Sequence, residues 1–192
     1  MSERFDKAYY DRFYRNPETR AVTPAAVRRQ AQFIAAYLQH LEVPVRQILD
    51  MGCGTGLLLR ALGKAFPKSN VLGVEFSTYL CERYGWQQGS VVDVNAGDAD
   101  LVVCNDVLGY LNDSDCAQAL ANLTRHTRSA LYLGVLTRED LALCDPNRTD
   151  QAQTARPAAW YRRRLQKNFL PVGGGLFLRK PVEVTVWHLE RS

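Results

Sequence analysis

Apolar and polar positions follow two different periods along this chain. From Thr23 onward, Val27, Ile34, Leu38 and Leu41 recur at spacings of 7, 4 and 3, which is one face of an amphipathic helix. Thr23 stands where an N-cap is wanted, and Pro24 suits the first helical position. Beyond it the apolar residues gather into short continuous runs: Val45–Asp50, Val71–Glu75, Asp100–Cys104 and Ala130–Leu136. Such runs are typical of parallel strands covered on both faces. A weaker strand is predicted near Trp86–Gly89. Helical stretches separate the runs: Leu57–Phe66, stopped by Pro67; Ser77 to about Tyr84; and Ser114 to about Arg128, with Cys116, Leu120 and Leu123 on its apolar side. Strand and helix thus alternate, which predicts an α/β doubly wound sheet with helices on both faces. About ten residues separate Gly89 from Asp100, so the helix there is expected to be one turn or absent.

The tail departs from this alternation. A polar loop (Cys144–Arg156) and a helix (Trp160–Lys167) precede two strand-like runs, Phe169–Arg179 and Val182–Leu189. Little more than Lys180-Pro181 lies between them, too little for a crossover, so an antiparallel hairpin is expected. Gly173-Gly174-Gly175 interrupts the first run, as at a bulge or a close backbone approach. The first 22 residues are dense in aromatics and charge, with Phe5, Tyr9, Tyr10, Phe13 and Tyr14 among arginines. Two readings stay open there: a helix laying an aromatic face on the domain, or a lid over a ligand.

Composition narrows the class. The 192 residues are 46% apolar and 23% charged, as expected of one globular domain spanning 1–192. No run is long enough for a membrane helix, and the charged N-terminus lacks the apolar centre of a secretory signal. A cytoplasmic protein is expected. The net charge of +4 is dispersed, and its one dense cluster, Arg162-Arg163-Arg164 with Lys167, is narrower than a nucleic-acid-binding stripe. Five cysteines include no CxxC pair, so no metal centre is expected and the thiols are read as reduced.

The chemistry concentrates at ILDMGCGTG, residues 48–56, just before a helix. Its glycines, Gly52, Gly54 and Gly56, follow a G-x-G-x-G spacing. A dinucleotide fingerprint would need glycine at 57, where Leu57 stands, and no Gly-Lys-Ser/Thr of a P-loop follows. The turn leaves the backbone bare, so a ligand can approach the carboxyl end of the strand closely. Asp50 beside it suits a positively charged ligand. Glu75 ends the next strand and is placed to accept the two hydroxyls of a ribose. Phe76 offers an aromatic face for a base.

On these motifs the chain resembles the class I S-adenosylmethionine-dependent methyltransferases, in particular the small ones acting on small molecules. The resemblance runs from about Val45 to Leu136 in motif and through the tail in topology. It implies a Rossmann-like seven-stranded sheet, ordered 3-2-1-4-5-7-6 with strand 7 antiparallel, and S-adenosyl-L-methionine as cofactor. Residues 45–136 would be the cofactor-binding core and 144–192 a substrate-side helix and hairpin. Gly52, Cys53, Gly54 and Gly56 would pass under the methionine part, with Asp50 near its ammonium group. Glu75 would take the ribose hydroxyls, and Phe76 would pack on adenine. Ser90 and Val91, in the segment QQGSVVD, would lie at the adenine edge; the family often has an acid where Ser90 stands.

In CNDVLGYL, residues 104–111, Asn105 would touch the cofactor while Asp106 and Tyr110 face the substrate. Tyr110 stands where the family often has histidine. No Asn-Pro-Pro-Tyr motif is present, which counts against methylation of exocyclic amines on nucleic-acid bases. Cys104 lies inside a predicted strand without a preceding proline, so it reads as core. Candidate general bases are Asp106, Tyr110, Tyr10 and His126, with Asp106 preferred and His126 read as a solvated or capping residue near a helix end. Tyr10, Tyr14, Trp160 and Tyr161 are the further candidates for substrate contact. The expected activity is methyl transfer to O or N of a small molecule, without nucleic-acid or membrane partners. Two alternatives remain. An RNA or protein methyltransferase would join Arg162–Arg164 and the N-terminal arginines in one basic face. A cofactor-binding protein without transferase activity would have a mouth too narrow for an acceptor.

Overall fold

The computed structural model describes residues 6–16, 18, 22–146, 149–150 and 152–187. A seven-stranded sheet runs through it. Its strands are β1 (Gln47–Met51), β2 (Asn70–Glu75), β3 (Gln87–Gln88), β4 (Ala99–Asn105), β5 (Thr127–Gly134), β6 (Phe169–Gly173) and β7 (Leu176–Arg179). The order is β3-β2-β1-β4-β5-β7-β6, with β7 antiparallel to both of its neighbours and all other pairings parallel.

Alternation along the central strands builds two cores, because successive side chains point to opposite faces. Ile48, Leu101, Val103, Ala130 and Tyr132 join one cluster with Val27, Ile34 and Leu38 of α2 (Pro24–His40) and Leu59 and Leu62 of α3 (Leu57–Ala65). Leu49, Met51, Val102, Cys104 and Leu131 join the other with Cys116, Leu120 and Leu123 of α5 (Asp113–His126) and Leu165 of α7 (Ala158–Leu165). Helix starts follow from local chemistry. The Thr23 hydroxyl accepts from Ala26 N at 3.1 Å, with Pro24 in the first turn, as the sequence predicts. Asn112 caps α5 by accepting from Asp115 N at 2.8 Å, two residues before the expected start.

Between β3 and β4, residues 89–98 cross without a helix. Asn122 of α5 supports this loop by donating to Val91 O and Val94 O, each at 3.0 Å. Helix α4 (Thr78–Tyr84) leads into β3, and α6 (Arg138–Leu141) follows β5.

The hairpin is where the chain departs from expectation. Both of its strands lie within 169–179: Gly174 and Gly175 form the turn, while Gly173 ends β6 after a register shift from Pro171, the irregularity expected of the glycines. Gly173, Gly174 and Gly175 all have positive φ (97°, 57° and 82°), which allows the reversal. Residues 182–187 form no strand, and 188–189 lie outside the described residues. Val182, Val184 and Val186 do alternate, but they pack against the α2 and α3 core, and Trp187 stacks on His40 of α2 with ring centroids 4.8 Å apart. Their period satisfies a helix-covered surface instead of a ladder.

A β-carbon on Gly175 would stand 2.7 Å from Leu133 O, whereas one on Gly173 would meet nothing within 4 Å. Gly175→Ala is therefore expected to lower stability by about 3 kcal/mol and Gly173→Ala by about 1 kcal/mol, the latter from backbone strain alone. Urea unfolding of both variants checks the order. Equal losses would contradict the contact with β5.

Candidate active site

The site is built at the carboxyl ends of β1, β2 and β4. After β1, Gly52 N and Cys53 N both donate to Val74 O, at 2.8 and 3.0 Å, so the glycine loop is pinned to β2. Gly52 has φ +87°, and a β-carbon there would stand 2.2 Å from Val107 Cγ2, so only glycine fits under the loop after β4. Trp86 supports the loop from the other side. Its indole Nε1 donates to Gly54 O at 3.0 Å, and its ring fills the space that side chains at Gly56 and Gly73 would need. Arg60 of α3 donates to Thr55 O at 2.5 Å and lies 5.9 Å from the Trp86 ring centroid.

Glu75 closes the loop onto β2. One carboxylate oxygen accepts from Gly54 N at 2.8 Å; the other accepts from Phe76 N and Ser77 N, each at 2.9 Å. The fold thus supplies three backbone donors to a buried carboxylate that lines the cleft, leaving one of its roughly four acceptor sites unused. Phe76 is 40% exposed, which is unusual for a large apolar side chain at the end of a buried strand. Asp50 is 2% exposed, and its Oδ1 is buried without a hydrogen-bond partner. Burial, with the Glu75 charge nearby, raises its carboxyl to about 8.

Past β4, Asp106 adopts φ +57°, and its N–H donates to Gly134 O at 2.7 Å. This bend turns Asn105 and Asp106 into the cleft. Gln30 of α2 donates to Asn105 Oδ1 at 2.9 Å and to Tyr132 Oη at 2.7 Å, and Asn105 Nδ2 donates to Asp106 Oδ2 at 2.8 Å. The next residues, Leu108–Tyr110, make a 3-10 turn held by Arg156. That side chain, 3% exposed, donates to Leu108 O (3.1 Å), Leu111 O (2.5 Å) and Asp113 Oδ1 (2.7 Å). From the N-terminal segment (α1, Lys7–Tyr10, and a π-helical turn at Asp11–Arg15) three tyrosines reach over the opening. Tyr9 Oη lies 3.0 Å from Tyr110 Oη, and Tyr10 packs on both Tyr9 and Tyr14 with centroids 5.3 Å apart.

These parts enclose one cleft of about 290 Å³. Gly52, Gly54, Glu75, Phe76, Ser90, Val91, Asn105, Asp106, Tyr110, Tyr10 and Tyr14, all named from the sequence, line it together. A smaller hollow of about 40 Å³ behind the loop is lined by Asp50 and Cys53 and shares Tyr14, Gly54 and Asp106 with the cleft. Gly56 faces Trp86 instead. Trp160 and Tyr161 are not brought to the cleft. Tyr161 is buried in the α5 core, and Trp160 is flanked by the Arg156 and Arg164 guanidiniums, 5.1 and 3.5 Å from its centroid. His126 is buried rather than solvated: its Nε2 lies 3.2 Å from Val94 O and its Nδ1 3.5 Å from Asp98, under the loop before β4.

Sequence reasoning missed Tyr9, Gln30, Trp86 and Arg156. The one signal available was Trp86, a tryptophan directly after a glycine at the start of a weak strand. Burial raises the hydroxyls of Tyr10, Tyr14 and Tyr110 well above the usual phenol range. It also raises the Asp106 carboxyl, partly offset by the hydrogen bond from Asn105.

Asp50 links the site to stability. Its folded pKa of about 8 exceeds the ordinary aspartate value, so the folded state binds its proton more tightly than the unfolded chain does. This contribution to stability is present at low pH and is lost as pH rises from about 4 to about 8. Asp50→Asn is expected to match the wild type near pH 4 and to exceed it by roughly 2–5 kcal/mol at pH 8. Urea unfolding at both pH values tests this, and a pH-independent difference would contradict an unpaired buried carboxyl.

Residues 49–130 match the family described as a methyltransferase domain. Among curated proteins, a trans-aconitate 2-methyltransferase from Deinococcus radiodurans is 32% identical over 102 residues, which cover 49% of this chain and 38% of that protein. A malonyl-[acyl-carrier protein] O-methyltransferase from Legionella pneumophila is 36% identical over 85 residues, 38% of this chain and 30% of that one. The matched segment therefore spans less than half of either relative. Among solved structures, magnesium protoporphyrin IX methyltransferase from Synechocystis PCC 6803 superposes with a TM-score of 0.67 at 17% identity, covering 93% of this chain and 94% of that one, a likeness of fold. The side chains here fit the cofactor of that fold. Asp50 offers an unpartnered buried carboxylate oxygen for an ammonium group, Glu75 a carboxylate at the end of β2 for hydroxyls, and Phe76 an exposed ring for a base. Sheet order, glycine loop and matched segment converge: residues 49–130 resemble a methyltransferase domain, set in a seven-stranded sheet of the class I methyltransferase fold.

Proposed function

We propose that this protein transfers a methyl group from S-adenosylmethionine to O or N of a small molecule. The observation that carries the reading is that nucleoside-type residues (Glu75, Phe76) and proton-handling residues (Asp106, Tyr110) line a single cleft roofed by Tyr9, Tyr10 and Tyr14. The cleft, about 290 Å³, must take the nucleoside end of the donor as well, which leaves room for a compact acceptor only. The basic cluster Arg162–Arg164 lies on α7, which contributes no residue to the cleft lining.

S-adenosylmethionine supplies an activated methyl on a sulfonium; the S–CH3 bond breaks as the acceptor lone pair forms its own bond to carbon, and the electron pair stays on sulfur. The protein's task is then orientation and exclusion of water. Glu75 and the glycine loop hold the donor end, and the tyrosines shield the reacting centre. Asp106 takes the acceptor proton: it is a carboxylate beside Tyr110 in the cleft, and burial raises its affinity for a proton. Tyr110 keeps its own proton at neutral pH and orients the acceptor through its hydroxyl, which Tyr9 fixes.

Calorimetric titration with S-adenosylmethionine and with S-adenosylhomocysteine tests the reading, and micromolar binding of both is expected. Glu75→Ala should weaken each by about 30–100-fold, equivalent to roughly 2–3 kcal/mol. Absence of binding would remove the function. Unchanged affinity in the variant would remove the hydroxyl-binding role of Glu75.

A further inference from the structure

The acceptor side of the cleft has a definite charge character. Its lining includes Tyr9, Tyr10, Tyr14 and Tyr110 together with Asp106 and Asp115. Among the described residues, neither this cleft nor the hollow behind it is lined by a lysine or arginine. Among the described residues, carboxylates act on three of the tyrosines: Glu75 on Tyr10, Asp106 and Glu75 on Tyr14, and Asp150 on Tyr110; Arg12 lines a separate hollow beside Tyr9. The rings form a connected set, with Tyr10 5.3 Å from both Tyr9 and Tyr14 and Tyr9 joined to Tyr110 at 3.0 Å. Asp106 uses Oδ2 for Asn105, and Oδ1 accepts no hydrogen bond from the described residues.

Resting on the methyltransferase reading, we infer that the acceptor is an amine, held by the tyrosine faces with its N–H bonds directed at Asp106. Aromatic faces attract cations through their negative quadrupoles, and a carboxylate in a partly desolvated cleft adds to that attraction. The same environment repels an anion. A carboxylate such as the trans-aconitate named for the Deinococcus relative would enter this cleft with no described cation to meet it. The bound ammonium first gives one N–H proton to Asp106, which passes it to water; the nitrogen lone pair then forms the N–CH3 bond, the S–CH3 bond breaks towards sulfur, and the product is a methylated ammonium. Asp106 has φ +57°, a conformation asparagine also tolerates, so Asp106→Asn removes the charge without disturbing the bend.

Benzylammonium and benzoate, similar in shape and opposite in charge, distinguish the two cases. Each is titrated by calorimetry at pH 7 into the wild-type protein saturated with S-adenosylhomocysteine, whose own binding is measured first. The expected result is that benzylammonium binds at least about tenfold more tightly than benzoate, and that Asp106→Asn reduces the ratio to about threefold or less while still binding S-adenosylhomocysteine. Tighter benzoate binding, equal binding, binding of neither, or a ratio unchanged in Asp106→Asn would each overturn the amine assignment and leave the methyltransferase reading intact. Failure of S-adenosylhomocysteine itself to bind would overturn both.

Discussion

The site depends on one carboxylate accepting three backbone donors. Glu75 takes Gly54 N with one oxygen and Phe76 N and Ser77 N with the other, which ties the glycine loop to the end of β2. Backbone donors in a loop that must stay bare for a ligand would otherwise be left to water. Charge-assisted bonds of this kind are the stronger class, so the loop is held in shape before any ligand arrives. Gly52 against Val107 and Trp86 against Gly54, Gly56 and Gly73 then fix it from below and from the side. The Glu75 end of the cleft is therefore preorganised by contacts within residues 52–107, the segment that follows β1 and carries β2 and β4.

The acceptor end is assembled differently. Asn105 and Asp106 point into the cleft because of a left-handed bend, and they are held by Gln30, which comes from a helix 75 residues earlier in the chain. The turn carrying Tyr110 is held by Arg156 from the loop between α6 and α7, and the Tyr110 hydroxyl meets Tyr9 across 101 residues. Every one of these contacts is long-range, so the acceptor wall can change with the loops while the sheet and glycine loop stay constant. This division fits a fold whose chemistry is set by what is grafted onto it.

It also explains what could be read from the sequence. The strand runs, the glycine loop, Glu75 and Phe76 were legible because period, turn chemistry and position at a strand end are local properties. The sheet order was implied by the family resemblance that these motifs carry, and the helix after β3, expected as one turn or absent from the short spacing before Asp100, is absent. The hairpin was misplaced because three glycines give the same signal for a bulge as for a turn, and because Val182, Val184 and Val186 alternate like a strand while packing on helices. Trp160 and Tyr161 looked available since α7 follows a polar loop, but that helix lies on the α5 core. His126 reads as a capping residue until the crossover loop is seen to cover it. Tyr9, Gln30 and Arg156 left no local mark, since their partners lie far along the chain.

The central claim is that Glu75 organises the loop in the free protein. Amide hydrogen exchange, followed residue by residue by NMR without ligand, reads this directly. Gly54, Phe76 and Ser77 are expected to exchange slowly in the wild type and much faster in Glu75→Gln, while amides inside β1 and β4 stay unchanged. Fast exchange of all three in the wild type, or equal protection in the variant, would contradict the account.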